Sequence, residues 1–463
     1  MSNEVMSESL NFPAVKKRAV ASRSYRVRIP PANGRDFAPG STLQIDLPAN
    51  LAASYWDSTQ AYLKFKVTNA AGAAACNLDR AGAYSFIRRQ IIQSSGAMIC
   101  DLDRFNALAC AMLDTDSSLE WRGSVGKTLV GTETSLKGEI LEADTSRTYC
   151  LPLILSPITQ TSPHRMIPLC SLAALQMRFT FEDTATAVQS AGNPVLSFSD
   201  CELVSMITEL SPGAQAQIDA MTGRRYDILA TSWAYSGGTL AAGVTQSTTN
   251  LGFSYSSLER VVFGFRPDAS SGQGFYSLGN RATQNLSEYN LLINSQQYPA
   301  LPIKREDKGA EALAELMIAD HSLASFNVGN ALTNGFKASG TGATAAQGAG
   351  FSMFANTNPA IEPAYPFNDA APAGASAGEA ALNNAAVVPS TIGTFIASIE
   401  LESAISNGRS SHIYSGVSTL ASTVQLVTKH SAATAASKID AWANFTVLLS
   451  LNMAGTGTWS ISV

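Results

Sequence analysis

The chain has 463 residues with a formal net charge of -5, and only 14% of its residues are charged. This length allows two or three domains with cores of their own, and the charged share lies below the roughly 25% of ordinary soluble proteins. No apolar run approaches the roughly 18 to 20 residues of a spanning helix, which excludes a helical membrane protein. The first residues lack the apolar core of a signal peptide, so we expect synthesis without secretion. The low charge favours a protein that buries much of its surface against copies of itself.

The first 36 residues are the most basic part of the chain. Residues 14–35 contain seven basic side chains and no acidic one, and prolines and a glycine argue against regular structure there. We predict an arm over residues 1–36 that contacts an anionic partner, such as nucleic acid, lipid headgroups or an acidic patch of a neighbouring subunit. A solvated disordered tail is the alternative. The basic residues assigned to the arm are Lys16, Lys17, Arg18, Arg23, Arg26 and Arg28.

A strand, a hairpin and a short helix then follow one another. Alternating apolar residues over 63–67 predict a strand with one buried face. Residues 91–99 predict two strands around the turn Ser94-Ser95-Gly96. From Asp101, the predicted N-cap, apolar residues recur at three- and four-residue steps and predict an amphipathic helix. The apolar positions of this helix are Leu102, Phe105, Leu108, Ala109 and Met112.

The same order of elements recurs about two hundred residues later. Alternating apolar residues over 261–265 precede a hairpin around the turn Asn294-Ser295-Gln296 and a helix with Asp307 as its predicted cap. Order and spacing are kept although residue identity is not, which indicates two copies of one β unit. The apolar positions of the second helix are Ala310, Leu313, Leu316 and Met317.

Period-two alternation dominates the remaining chain. It predicts strands over 177–181 and 395–401, with Glu400 and Glu402 on the solvent face of the second strand. Residues 445–453 are more apolar and predict a strand that is covered on both faces. With few helices and closely spaced turns, the pattern favours an all-β antiparallel sandwich or barrel.

The boundary between the two units is predicted from composition. Residues 211–225 combine proline, glycine and polar residues between the last strand of one unit and the first strand of the next. We therefore predict a first barrel over 37–215 and a second barrel over 216–463. Residues 338–386 are rich in Ala, Gly, Asn and Pro, a composition that cannot form a compact core. We predict that they form a long loop projecting from one end of the second barrel.

The sequence does not predict a catalytic or metal-binding site. Gly123–Thr128 resembles the end of a phosphate-binding loop, but Trp121 stands where the first glycine belongs. The histidines lack metal-ligand spacing, and each is interpreted as a loop or surface residue. The six cysteines form no Cys-x-x-Cys pair and are interpreted as reduced, mostly buried thiols. We therefore predict no enzyme activity, cofactor, metal or small-molecule substrate. The four histidines are His164, His321, His412 and His430.

At this point the residues indicate a family. Two tandem eight-stranded units, each with a short helix after a strand-turn-strand element, resemble the double jelly-roll major capsid proteins of the adenovirus and tailless icosahedral phage lineage. Local passages in both halves look like those capsid proteins in polinton-like viruses and virophages. These passages are Tyr55-Trp56-Asp57 with Ala61–Phe65, Leu291–Asn294 with Tyr298-Pro299, and Ser415–Leu420 with the strands Val424–Val427 and Asp440–Leu451. The fold class that the resemblance implies is all-β, with two tandem eight-stranded antiparallel jelly-roll barrels and a few short helices.

The resemblance also implies an assembly. In that family three chains form a homotrimer with a pseudo-hexagonal base, and many such capsomers tile an icosahedral virion shell around the genome. The implied partners are further copies and neighbouring capsomers, together with minor capsid or vertex proteins. By this likeness the loop 338–386 faces outward, while the basic arm faces inward, toward an internal membrane, the genome or neighbouring capsomers. The chain would be made in the host cell and reside in the virion.

Two rival functions use the same strand pattern. A β-sandwich module that binds a receptor or a glycan, such as a viral spike or an adhesin, would share the strands and the Gly/Asn-rich loops. A carbohydrate-active enzyme on a jelly-roll scaffold would need carboxylates that converge in a cleft, which sequence neither reveals nor excludes. Two barrels favour the major shell protein over a minor capsid protein with a single barrel.

Overall fold

The computed structural model describes residues 22–117, 119–133, 138–161, 164–190, 192–267, 278–279, 281, 283–305, 310–319, 395–402, 416–434 and 436–463. Strands dominate these residues, and they separate along the chain into two units. The first unit contains β1 (Ser22–Ile29), β2 (Thr42–Asp46), β3 (Ser54–Asn69), β4 (Cys76–Leu78), β5 (Ile87–Ser94), β6 (Ala97–Leu102), β7 (Ile140–Leu141), β8 (Thr145–Pro152), β9 (Ile167–Pro168), β10 (Leu175–Phe181), β11 (Val188–Gln189) and β12 (Leu196–Leu210). The second unit contains β13 (Arg225–Leu240), β14 (Gln246–Leu251), β15 (Leu258–Pro267), β16 (Leu286–Ile293), β17 (Gln296–Lys304), β18 (Ala397–Glu400), β19 (Val424–His430), β20 (Ser437–Asn452) and β21 (Trp459–Ser462).

Six α-helices lie between these strands in the described part of the chain. They are α1 (Phe105–Asp116), α2 (Leu119–Gly123), α3 (Val125–Val130), α4 (Thr184–Ala187), α5 (Pro212–Thr222) and α6 (Ala310–Ala319). Helix α5 connects the last strand of the first unit to the first strand of the second. Its N-terminus is capped by Ser211, whose Oγ accepts the Ala214 N–H at 3.3 Å.

Both units have the same strand order. The first has one sheet in the order β1-β12-β3-β8 and another in the order β2-β10-β5-β6. The second repeats this arrangement as β13-β20-β15-β18 and β14-β19-β16-β17. Each unit has eight main strands, if the strands of three residues or fewer in the first unit and β21 in the second are left out. Counted along the chain within each unit, the first, eighth, third and sixth main strands form one sheet, in that order. The second, seventh, fourth and fifth main strands form the other sheet, which is the arrangement of an eight-stranded jelly roll.

The two sheets of each unit enclose an aromatic core. In the first unit Phe65 packs edge-on against Phe181 of the facing sheet, with ring centroids 5.9 Å apart. In the second unit Phe263 meets Tyr289 in the same manner at 5.2 Å. Such pairs stabilise a sandwich beyond the area that they bury. The predicted pattern of two tandem all-β units is therefore confirmed, down to the hairpin and helix that each unit contains.

Part of the predicted arm belongs to the first sheet. Residues Ser22–Ile29 form β1 and pair with β12 from Ser22 opposite Leu210 to Ile29 opposite Leu203. The prediction of an irregular arm is wrong for these eight residues. Tyr25, Val27 and Ile29 alternate with polar residues and turn toward the sandwich interior. The interspersed arginines concealed this alternation.

The first predicted helix begins later than expected. Helix α1 starts at Phe105, after Arg104 in a left-handed conformation with φ of 52°. The prediction of Asp101 as its cap is wrong, because Asp101 lies in β6 and accepts hydrogen bonds from the Arg89 side chain of β5 at 2.6 and 2.7 Å. The buried Leu102 extends the strand pairing past the predicted cap. Asp307, the predicted cap of the second helix, and the loop 338–386 lie outside the described residues.

Two surface predictions in the second unit are wrong. Helix α6 packs against β18, so the predicted solvent face of that strand is covered. Glu400 is half-buried there, and its Oε1 accepts the N–H groups of Leu401 and Glu402 at 2.9 and 2.8 Å. His430 is buried in β19, where its Nδ1 lies 2.7 Å from the carbonyl oxygen of Gln284.

The prediction of a doubly covered strand over 445–453 is right for 445–447 and wrong beyond them, where burial alternates along β20. Residues 439–447 are buried on both faces. One face packs into the second sandwich, and the other is covered by neighbouring parts of the chain. The doubly buried stretch begins and ends earlier than predicted.

Candidate assembly surfaces

A search of the described residues finds no group of three or more His, Cys, Asp or Glu side chains that could hold a metal ion. Within the same residues no helix is long and apolar enough to cross a membrane. All six cysteines are free thiols, five of them buried, so the prediction of reduced and mostly buried thiols is confirmed. The segment Gly123–Thr128 spans the end of α2 and the start of α3, and Lys127 pairs with Glu133 at 3.0 Å.

A buried ionic cluster joins the two units. Asp114 of α1 is fully buried, with 0% of its surface exposed. Its Oδ1 accepts hydrogen bonds from Arg80 at 2.6 Å and Arg122 at 2.8 Å. Its Oδ2 accepts one from Arg281, which belongs to the second unit. Burial alone would raise the pKa of Asp114, but the three guanidinium groups bring it below its ordinary value.

A second carboxylate of the cluster reaches the second unit through the backbone. Asp79 accepts the N–H of Leu278 at 3.0 Å and the N–H of Arg80 at 2.6 Å. Burial is the main influence on this carboxyl and raises its pKa from 3.8 to about 6. Two carboxylates and three arginines thus hold the segment around residues 278–281 against the first unit.

Backbone hydrogen bonds join the units at the other end of the strands. The Thr231 N–H of β13 donates to the Gln160 carbonyl oxygen at 3.1 Å, and the adjacent Ala230 forms a bridge with Thr161. The Leu172 N–H donates to the Gly457 carbonyl oxygen at 2.9 Å. Strand β6 also packs against β13 and β21. The first unit therefore covers one half of β13.

Three of the predicted arm residues lie on β1. Arg23 stacks over the ring of Tyr25 at 5.4 Å, and Arg28 pairs with Glu202 at 3.4 Å. Arg26 is exposed on the outer face of the same strand. Among the strands that the structure describes, none pairs with the outer edge of β1. The remaining arm residues, Lys16, Lys17 and Arg18, lie outside the described residues.

Strand β17 presents an apolar protrusion at the edge of the second unit. Its pairing with β16 skips from Tyr298 to Ile303, so the intervening residues bulge out of the sheet. Leu301 lies in this bulge, beside Pro302, and has 79% of its surface exposed. Prolines on an edge strand prevent further strand pairing, so this edge is suited to contact through side chains.

Sequence reasoning found neither the cluster nor the protrusion. Asp114 and Arg281 are 167 residues apart, and no local pattern connects them. Tyr298-Pro299 was singled out in the sequence, but only the strand pairing reveals that the residues from Pro299 to Pro302 form a bulge. The histidine interpretation is confirmed for His164, which is exposed, whereas His321 and His412 lie outside the described residues.

Comparison with known proteins identifies the class of fold. No protein-family profile matches the chain, and no curated protein matches it in sequence. The fold is nevertheless similar to solved chains over almost its whole length, and the class to which they belong is the double jelly roll. The prediction of that fold is confirmed.

Three of the similar structures are viral capsid chains. The PBCV-1 virus capsid aligns with a TM-score of 0.59 and 10% identity, covering 98% of this chain and 99% of that one. The Faustovirus major capsid protein aligns with a TM-score of 0.56 and 7% identity, covering 95% and 92%. The Sputnik virophage structure aligns with a TM-score of 0.55 and 10% identity, covering 99% and 92%. The predicted resemblance to the double jelly-roll capsid lineage therefore holds at the level of the fold.

Proposed function

We propose that this chain is a structural major capsid protein. It associates into a homotrimer in which six jelly rolls form a pseudo-hexameric capsomer, and capsomers tile an icosahedral shell that encloses a viral genome. The observation that carries the proposal is the presence of two complete jelly rolls of identical strand order in one chain, matched along nearly the full length of viral capsid chains. The role is mechanical and requires no turnover and no cofactor.

The buried contacts between the units support a building-block role. A capsomer transmits force through its subunits, so the two jelly rolls of a chain must keep a fixed orientation. The ionic cluster around Asp114 and the backbone bonds of β13 hold them at both ends of the strands. Buried, hydrogen-bonded charges tolerate little rearrangement, because any displaced group would lose its partners without gaining water.

The native mass in solution tests this proposal. Light scattering coupled to size exclusion is expected to give three times the 48.7 kDa of one chain, or very large particles that dissociate into such trimers. Electron microscopy of the large particles should then show an icosahedral lattice. A chain that stays monomeric or dimeric at high concentration would contradict the proposal.

Residues 1–21 have a separate proposed role. With Ser22–Ile29 assigned to a strand, the arm is reduced to the preceding residues, which keep Lys16, Lys17 and Arg18. We propose that these residues lie on the inner side of the shell and contact the genome, an internal membrane or a neighbouring capsomer. The basic charge and the absence of acidic residues near these positions support this role.

Deletion of residues 1–21 tests the arm. The truncated chain should form trimers of normal mass but assemble shells poorly, because β1 remains in place while the basic segment is lost. Light scattering and electron microscopy report the two steps separately. A substitution of Lys16, Lys17 and Arg18 by Ser within the full chain serves as the matched variant, since it removes the charge but keeps the length. Trimers that fail to form after the deletion would refute this role.

A further inference from the structure

The two units contact each other within the chain through one edge strand of each unit. The two strands that correspond to these, one on each unit, do not pack against each other in the described part of the chain. Inside the chain, the edge strand β6 of the first unit packs against the first strand of the second unit, β13. The corresponding edge strand of the second unit is β17, and the corresponding first strand of the first unit is β1. Among the described residues, neither of these two strands has such a partner within the chain.

Residues of β1 and β13 are matched here by counting from the ends of their partner strands, β12 and β20. Strand β1 pairs with β12 from Ser22 opposite Leu210, the last residue of β12. Strand β13 pairs with β20 from Arg225 opposite Asn452, the last residue of β20. Ser22 therefore corresponds to Arg225. By the same count, Tyr25 corresponds to Ile228 and Val27 to Ala230.

Corresponding residues differ in burial. Ile228 and Ala230 are 4% and 1% exposed, because the first unit covers β13 at this end. Tyr25 and Val27 turn to the same side of their sheet but are only half-buried. Tyr25 and Val27 pack against the core on one side, but this apolar strip of β1 is less covered than its counterpart on β13.

The two edge strands β6 and β17 also differ in burial. Cys100 of β6 is buried and lies beside Ser232 of β13. Leu301 lies in the bulge of β17 and is 79% exposed. Each half of the contact is therefore present on the chain, but on opposite units.

We propose that β17 of one copy docks on β1 of a second copy, with Leu301 packed against Tyr25 and Val27. The contact repeats between chains what β6 and β13 do within one chain. It is head-to-tail, and contacts of this kind generate a closed ring when the rotation between copies closes. The prolines of β17 and the arginines of β1 disfavour a continuous sheet, so side chains carry the contact. This inference rests on the proposed trimer and identifies its interface.

Disulfide trapping tests the interface directly. A chain with Val27→Cys and Leu301→Cys, mildly oxidised, should give crosslinked dimers and trimers on a non-reducing gel. The matched control combines Leu301→Cys with Val195→Cys, because Val195 is 57% exposed and directly precedes β12, at the end of that strand remote from Ser22. The control pair and each single-cysteine variant should stay uncrosslinked.

The outcomes separate this inference from the proposed function. Trimers that form but do not crosslink would overturn the interface and leave the capsid proposal intact. An oxidised species that remains at the size of one chain would also overturn it, since the two positions would then meet within a chain. A wild-type chain that never trimerises would overturn both.

A charge substitution provides the second measurement. Leu301→Asp places a carboxylate in the proposed contact without touching the core, so the variant should fold. The concentration at which trimers dissociate is expected to rise about tenfold or more, as for an apolar interface anchor. The matched variant Val195→Asp should leave it unchanged. Equal dissociation of the Leu301→Asp variant and the wild type would contradict the inference.

Discussion

The carboxylate of Asp114 holds guanidinium groups from both units. Arg80 and Arg122 come from the first unit, and Arg281 comes from the second. Three buried cations around one carboxylate would repel one another strongly if that carboxylate were neutral. The cluster is therefore stable only as a complete set, which makes it a sensitive position for mutation.

Replacement of Asp114 by Asn should destabilise the chain severely. The substitution keeps the shape but removes the carboxylate that pairs with Arg80, Arg122 and Arg281, and loss of one partner of a buried pair costs about 3–5 kcal/mol. Urea denaturation measures the loss. The half-exposed pair of Asp101 with Arg89 provides the control, and Asp101→Asn should cost no more than about 1 kcal/mol. Equal effects of the two substitutions would contradict the assigned role of the cluster.

Asp79 should make stability depend on pH between about 4 and 7. Burial raises its folded pKa to about 6 from 3.8, so the folded chain binds a proton that the unfolded chain has already released. The stabilisation from this group is present below pH 3.8 and is lost as the pH rises through about 6. The unfolding free energy of the wild type, compared with Asp79→Asn, should therefore fall between pH 5 and 7.

Glu288 is the control for this pH dependence. Its hydrogen bond with Lys429 lowers its pKa below 4.5, so it stays ionised over the same range. Glu288→Gln should leave the slope between pH 5 and 7 as it is in the wild type. A slope that persists in Asp79→Asn would show that another group is responsible.

At the scale of elements, the two hairpins form the same kind of two-residue turn with different residues. Between β5 and β6 the turn residues Ser95 and Gly96 have φ of 49° and 84°. Between β16 and β17, Asn294 and Ser295 have φ of 47° and 68°. Positive φ at both central residues matches the twist of the strands, and glycine adopts it without strain.

Exchange of the second turn residue should shift stability in opposite directions. Gly96→Ala forces a side chain into a left-handed conformation and should cost about 1 kcal/mol, although no atom lies within 4 Å of the new Cβ. Ser295→Gly relieves the same conformation and should stabilise by a smaller amount, since glycine also loses entropy on folding. Thermal unfolding of both variants measures the pair. A change of the same sign in both would contradict this account of the turns.

The hairpins are among the elements that could be predicted from the sequence. Alternating residues and turn residues are local signals, so the strands of both hairpins and the duplication were predictable. Strand β1 was missed because arginines at alternate positions gave it the composition of a tail. Whether a face of β18 or β20 is buried depends on which other elements pack against it. The alternation of residues within a strand does not reveal those elements. The cluster around Asp114 depends on long-range contacts for the same reason.

At the scale of the whole molecule, the chain should unfold as one cooperative body. The two units share the ionic cluster at one end and the backbone bonds of β13 at the other. Contacts of both kinds form only when both units are folded. The interface between the units thus extends the cooperativity of each sandwich to the full chain.

Loss of Arg281 should divide this unfolding into two steps. Arg281→Met keeps an unbranched apolar stem but removes the hydrogen bond to Asp114 and the one to the Phe395 carbonyl oxygen. Calorimetry is expected to show one transition for the wild type and two for the variant. Arg88→Met, which breaks only an exposed pair with Asp103, should keep a single transition. A single transition in all three chains would indicate that other contacts couple the units.

Strand β13 contacts both units while it keeps a single pairing register with β20. Its sixteen residues pair with β20 without a shift, and the first half faces the first unit while the second half lies in its own sandwich. Side chains alternate along a strand, so a slip of one residue would turn both halves outward at once. In a hybrid protein whose two units come from different chains and are joined within α5, β13 would therefore face a first unit to which its side chains are not fitted. Exchange of jelly rolls between related chains of this fold, whether by recombination or by design, requires the donor's β13 to match the recipient's first unit.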